Sequence, residues 1–338
     1  MGSDDPRAAD GWIDSPEPEP ARGFPIRGPP EVAGFVAFTW ECDVWEDRRT
    51  VQLSNFEILM KGSRLLRFWS AEILRVLVGL VSALTHDRFD LLGTPIACVD
   101  MPGAIQTVRG WLQSQDRGRT VTFTNVHMVM EGVQSEHFRG LLTSMDMNCP
   151  DGMPLVWAGR RKGIQGIARV CGPEFLPTFC AAAADMNVRH FFYGGDDGIA
   201  AQTAEMLQKS IPGFQVAGVY SPPFRVLSEE EDAEIVRLIN ATDPDMVWVC
   251  LGCPKQETWI QSHKDKLNAK VLLAVGMAFD VVAGVKKRAP RVIRVCGMEW
   301  LYRLVQEPRR LWRRYLVYNT LFIYRYILEA WKEEPRKL

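Results

Sequence analysis

The chain has 338 residues, 47% hydrophobic and 24% charged, with a formal net charge of −1. That length buries a sizeable core and suits two domains, or one with large extensions. The near-zero balance excludes nucleic-acid binding driven by overall charge. The eight Cys are scattered without disulfide-like spacing, so they read as reduced cytoplasmic thiols.

Residues 1–33, with "SPEPEPARGFPIRGPP", read as a disordered Pro-rich leader. Residues 34–88 form an N-terminal extension with a strand-like "VAGFVAFTW" and an apolar stretch at 65–84 broken by Arg67, Glu72 and Arg75. That stretch reads as an amphipathic helix, able to pack in a core or lie on a bilayer. The N-terminus lacks the basic-then-apolar order of a signal peptide, and no uncharged apolar run reaches 18 residues, so no transmembrane helix is expected.

From about residue 89 the pattern is regular. "PIACVD" (95–100) predicts a strand and "MPGAIQTVRGWLQS" a helix; "RTVTFTN" (119–125) predicts a strand and "VHMVMEGVQSEHFRGLLTSM" one helix. Next come strand "RHFFYGG" (189–195), helix "DGIAAQTAEMLQKSI", strand "FQVAGVYS", helix "SEEEDAEIVRLINATD" and strand "MVWVCLG" (246–252). Helix "ETWIQSHKDKL" and strand "KVLLAVGMAFD" complete the series. This alternation predicts a Rossmann-like α/β core over 89–284: an open, mostly parallel sheet with helices on both faces and ligands at the carboxyl ends of the strands. A basic helical appendage follows over 285–338.

Several strand-end loops carry groups fit for chemistry. In "NCPDGMPLVW" (148–157), Asp151 is either a turn former or a carboxylate held on a bend for proton transfer. "FFYGGDDGIA" sets Tyr193, Gly194 and Gly195 between a strand and a helix, where backbone can meet a phosphate. It lacks the full dinucleotide spacing, and Asp196 and Asp197 read as helix caps. "VWVCLGCPKQETW" presents Gln256 above the sheet, with Glu257 a first-turn helix acid, and "AVGMAFDVVAG" presents Gly276 and Asp280. Arg169, in "IARVCG", sits on a connection that can reach the same edge. His127 is the histidine beside a strand-end loop, in a packing or a catalytic role. No metal site is expected: Cys250 and Cys253 form a CxxC without a second pair, and Cys250 reads as core.

From Lys286 to the C-terminus there are fourteen Lys/Arg against five Glu. In "EWLYRLVQEPRRLWRRYL", Arg303, Arg310 and Arg313 are spaced seven and three residues apart. On one continuous helix they would share a face and could grip a diphosphate. The aromatic run at 315–331 suits the interfacial layer of a bilayer. A solvated basic face is the alternative.

With these residues in view, the sequence resembles the WecG/TagA/CpsF glycosyltransferases, family 26. The resemblance rests on "TNVH" (124–127), "PDG" (150–152), "RVCG" (169–172), "FYGG" (192–195), "GCPKQETW" (252–259), "GMAFDVVAG" (276–284), "RAP" (288–290), "EWLYRL" (299–304) and "EPRRLWRR" (307–314). It covers roughly 90–316 and implies a peripheral enzyme on the cytoplasmic face of the inner membrane, without a cofactor or an obligatory metal. Such enzymes move a sugar from a UDP-sugar to a saccharide on a polyprenyl diphosphate, inverting to a β linkage. By motif the resemblance makes Asp151 the base, puts Arg169 near the nucleotide phosphates with Gln256 in the donor site, and assigns Arg303, Arg310 and Arg313 to the lipid diphosphate. Asn125 aligns with the family's strand end, whereas Thr124 is displaced by one position. Thr124, Asn125, Tyr193, Gly194, Gly195, Gly276 and Asp280 complete the expected donor site.

The physical reading agrees: an inverting transfer needs one carboxylate base and positive charge near the departing UDP. With no second arginine cluster to read a uronate, UDP-glucose is the favoured donor, in exopolysaccharide or cell-surface glycan synthesis. UDP-N-acetylmannosamine or its uronate is the alternative. A non-catalytic membrane scaffold and an NAD(P)-dependent oxidoreductase are further alternatives. The oligomeric state stays open, a homo-oligomer included.

Overall fold

The apolar runs of the sequence become strands buried on two faces. The computed structural model describes residues 88–333, apart from a few side chains near the C-terminus, Arg310 among them. The expectations for 1–33 and, but for Arg88, for 34–88 lie outside the described residues. A six-stranded sheet runs in the order β4 (Met147–Pro150), β3 (Arg119–Thr124), β8 (Val271–Ala274), β7 (Met246–Cys250), β5 (Arg189–Gly194), β6 (Gln215–Tyr220). Every neighbouring pair is parallel. The α/β expectation therefore holds.

Alternation along β7 shows how both faces are used. Met246, Trp248 and Cys250 pack with α1 (Met101–Gln113), α5 (Gly172–Ala182) and α6 (Ile199–Ser210). Val247 and Val249 point the other way, toward α7 (Glu229–Ala241) and α8 (Lys255–His263). Period-2 side-chain direction combined with two helix layers explains why "VWVC" is apolar throughout.

Local details depart from the sequence expectations. The "PIACVD" strand is real as β2 (Thr94–Ala97) but stands outside the main sheet, paired antiparallel with β1 (Arg88–Leu91). The long helix expected over 126–145 breaks at Ser135 into α2 (Val126–Gln134) and α3 (Glu136–Ser144), and the Ser135 hydroxyl accepts the Phe138 N–H at the start of α3. A residue that competes locally for backbone bonds favours a cap over a helix interior. Asp196 and Asp197 do not cap α6; its cap is Gly198, in the left-handed region, with no side-chain bond. The strand expected over 270–280 stops at Ala274, and α9 (Ala278–Val282) begins at Ala278.

The C-terminal segment is helical: α10 (Arg291–Val295), α11 (Glu299–Gln306), α12 (Pro308–Trp312), a π-helical turn at Arg313–Val317, and α13 (Tyr318–Glu333). Phe322 of α13 is buried in a satellite core with Phe89, Leu91, Val126 and Leu155, so this helix is fastened to β1, α2 and the helix after β4. Between α11 and α12 the backbone leaves helical geometry at Glu307, with φ −133° and ψ 62°. Pro308 explains the break, because it disfavours helix in the preceding residue. The argument that one continuous helix aligns Arg303 with Arg310 and Arg313 therefore fails.

Candidate active site

Asp151 follows β4, an edge strand, which tolerates Pro150 at its end because no further neighbour needs that missing N–H. The bend is a strand-to-helix junction. Gly152 has φ −117°, so it needs no left-handed conformation, and it caps α4 (Met153–Arg161). Two neighbours anchor it: the Asp151 N–H donates to the Thr124 carbonyl at 2.8 Å, and the Val170 N–H to the Pro150 carbonyl at 2.9 Å. Arg169 then donates Nε to the Asp151 carbonyl at 2.9 Å and Nη2 to its Oδ1 at 3.3 Å.

The same guanidinium reaches Glu299 on α11, Nη2 to Oε2 at 2.7 Å. Arg303 Nη2 donates to the other Glu299 oxygen at 2.9 Å, and Arg288 lies 3.6 Å away. Burial opposes ionisation of Glu299, yet Arg169, Arg303 and Arg288 together hold its carboxyl at about 2. Asp151 goes the other way. Burial lifts it to about 6, Glu299 adds to the lift, and Arg169 and Arg303 offset only part. A carboxyl poised there can exchange a proton near neutral pH.

Asp151, Arg288 and Arg303 open onto a cleft of about 2100 Å³ at the carboxyl ends of the strands, where α/β sheets bind ligands, with Arg169 and Glu299 outside its lining. Asp151, Asn125, Tyr193, Gly195, Gln256, Gly276, Asp280, Arg303 and Arg313 all line it. Arg169 lies directly behind Asp151. Thr124 is fully buried, its Oγ1 without a hydrogen-bond partner among the described residues. Asn125 also caps α2, its Oδ1 accepting the Met128 N–H. Gly194 lies behind the wall: its φ is +105°, and a Cβ there would stand 2.4 Å from the Cys250 carbonyl. Asp280 pairs with Lys286 at 2.9 Å. The Arg310 side chain lies outside the described residues.

Three groups escaped the sequence reading. Glu299 had a signal, its four-residue spacing to Arg303. Arg288 was visible only as part of "RAP"; it bridges Glu174 at 2.8 Å and Glu299. Glu257 is a fully buried acid rather than a solvated helix-end charge. Its Oε1 accepts Thr122 Oγ1 at 3.1 Å and Gln256 Nε2 at 2.8 Å. Gln256 in turn accepts the Gly276 N–H at 3.0 Å. Burial pushes the Glu257 carboxyl above the usual range, against the hydrogen bonds from Gln256 and Thr122 by which this acid aims the glutamine. His127 lines the cleft in the first turn of α2, its Nε2 3.5 Å from Glu131, which accepts the Tyr318 hydroxyl at 2.6 Å. Among the described residues, no group of three or more His, Cys, Asp or Glu is arranged to hold a metal ion.

Comparison with known proteins adds an independent finding. The model of the "Glycosyl transferase WecG/TagA/CpsF family" matches residues 89–336. Three similar proteins are each named N-acetylglucosaminyldiphosphoundecaprenol N-acetyl-beta-D-mannosaminyltransferase. That of Bacillus spizizenii is 32% identical over 202 residues, 60% of this chain and 76% of its own length. That of Bacillus subtilis is 27% identical over 223 residues, 66% and 83%. That of Staphylococcus aureus strain MRSA252 is 28% identical over 230 residues, 67% and 87%.

Proposed function

This chain belongs to the WecG/TagA/CpsF glycosyltransferase family, and we propose that it transfers N-acetylmannosamine from its UDP derivative to N-acetylglucosamine carried on a polyprenyl diphosphate. The observation that carries the reading is a carboxylate of near-neutral pKa beside guanidiniums in one cleft: Asp151 with Arg169 behind it and Arg303 and Arg313 on the wall. UDP-glucose, favoured by the sequence alone, finds no support in the relatives' names, which carry the alternative sugar. The oxidoreductase alternative has nothing left to favour it.

In this scheme Asp151 takes the proton of the acceptor hydroxyl as that oxygen attacks the anomeric carbon. The new C–O bond forms as the bond from that carbon to the UDP oxygen breaks, and the electron pair leaves with UDP. One displacement inverts the centre, so an α-linked donor yields a β product, and one carboxylate suffices. Guanidiniums meet the charge on the departing diphosphate. Gln256 and the Gly276 backbone shape the donor side, and Arg303 and Arg313 face the lipid diphosphate.

The C-terminal helices support a bilayer-surface location. One side of α13 is packed through Phe322, while Ile323, Tyr324, Ile327 and Trp331 are exposed. Exposed Trp312, Leu316 and Arg313 extend that surface. Aromatic and aliphatic side chains mixed with arginine suit the interfacial layer. No described helix is long and apolar enough to cross a membrane.

The deciding experiment offers UDP-glucose, UDP-N-acetylglucosamine, UDP-N-acetylmannosamine and its uronate to the full chain, with a polyprenyl-diphosphate N-acetylglucosamine acceptor. The expected product is a β-linked N-acetylmannosaminyl lipid. Glucose transfer without N-acetylmannosamine transfer would refute the donor assignment; NAD(H) binding without UDP binding would refute the enzyme class.

A further inference from the structure

The reaction scheme leaves Glu299 without a task, although this buried acid meets three arginines, two of which, Arg288 and Arg303, line the cleft. Only 7% exposed, it opens α11 and meets Arg169 at 2.7 Å, Arg303 at 2.9 Å and Arg288 at 3.6 Å. Arg169 Nη2 is shared unequally: 2.7 Å to Glu299 and 3.3 Å to Asp151 Oδ1. The stronger charge-assisted bond goes to the acid that does no chemistry in the scheme.

We propose that Glu299 is a positioning residue for sugar transfer: it draws the Arg169 tip off the Asp151 carboxylate and aims Arg303 into the cleft. This rests on Asp151 being the base. A carboxylate gripped by both arms of a guanidinium is a weak base, because the cation stabilises its charged form. Sharing Nη2 with Glu299 leaves Arg169 to fix the Asp151 backbone through Nε while keeping only a long 3.3 Å bond to Oδ1, so the carboxylate is held less tightly and can accept a proton. The same contact places Arg303, four residues along α11, where it lines the cleft.

The surrounding charges are consistent with a shared balance. Glu299 faces Arg169 from the segment before α5, Arg288 from the segment before α10, and Arg303 from its own helix. Asp151 faces Arg169, Arg303 and Glu299, with the buried thiols Cys149 and Cys171 nearby. Arg288 also meets Glu174, which takes Arg294 as well, and Arg303 is flanked by Tyr315. Losing the Glu299 charge therefore makes Asp151 easier to ionise, and losing Arg303 makes it harder.

The test is the pH dependence of kcat/KM on the full chain with the UDP-sugar and lipid acceptor, UDP binding serving as the check on folding. In Glu299→Gln the acid limb should move down by at least about half a pH unit, with kcat falling about tenfold and UDP affinity within about threefold of wild type. Glu299→Asp, which keeps the charge, should leave the limb in place, and Arg303→Gln should raise it. An unmoved limb in Glu299→Gln, or equal shifts in the Gln and Asp variants, overturns the proposal. If Glu299→Gln fails to fold, Arg303→Gln decides, and an unmoved limb there overturns it too. Asp151→Asn separates the two ideas. Retained transfer in that variant refutes the base itself; lost transfer with an unmoved limb in Glu299→Gln refutes only the role of Glu299.

Discussion

A carboxyl held at a raised pKa costs the folded protein stability once it ionises, and Asp151, the proposed base, makes that cost measurable. The folded carboxyl sits at about 6, against 3.8 for an ordinary Asp. At roughly 1.4 kcal/mol per pKa unit, holding it ionised costs up to about 3 kcal/mol above pH 6. Its side chain is 22% exposed, so this figure is a ceiling. The sign follows from proton binding. Between 3.8 and 6 the folded state holds more protons than the unfolded chain, so stability is lost as pH rises through that window. Asp151→Asn, a neutral isostere, should therefore stabilise the protein by about 2–3 kcal/mol at pH 7.5 but only by about 1 kcal/mol at pH 4.5. Urea unfolding of both proteins at the two pH values measures the difference. An Asn variant less stable than wild type at pH 7.5, or a difference that does not change with pH, would refute the desolvated-base picture.

The same titration should appear in kinetics: kcat/KM falls on the acid side with a midpoint near 6, leaving about a tenth of its plateau at pH 5. Glu257→Gln should keep near-native stability and donor KM because its carbonyl oxygen can accept the same two bonds, whereas Glu257→Ala, which frees Gln256, should raise donor KM about tenfold. Gly194→Ala should destabilise the chain by roughly 2–4 kcal/mol in thermal unfolding, since the new Cβ meets the Cys250 carbonyl at 2.4 Å in left-handed backbone. Phe322→Ala should loosen α13 at a cost of about 3 kcal/mol and weaken sedimentation with anionic vesicles; unchanged binding would detach the membrane role from this helix.

By itself the sequence determined the architecture. Strands such as "VWVC" and "FFYG" are covered on both faces, so they are continuously apolar and stand out between amphipathic helices. Asp151, Tyr193, Gly195, Gln256 and Gly276 could be placed at one edge because loops after parallel strands emerge on the same side. Contacts between distant segments were decided only by the tertiary structure. The pairing of β2 with β1 outside the main sheet needs strand partners that local pattern does not specify. Glu299 meets Arg169 across 130 residues, and Glu257 meets Thr122 across 135, so beyond the local partners Arg303 and Gln256 these contacts are not encoded near either acid in the chain. The continuous helix through Arg303 and Arg313 fails for a local reason, Pro308, visible in the sequence but outweighed there by the regular spacing, although both side chains still line the cleft. Residue type and spacing state what a side chain can do; burial and the charges folded against it decide which way its proton affinity moves, up for Asp151 and Glu257 and down for Glu299.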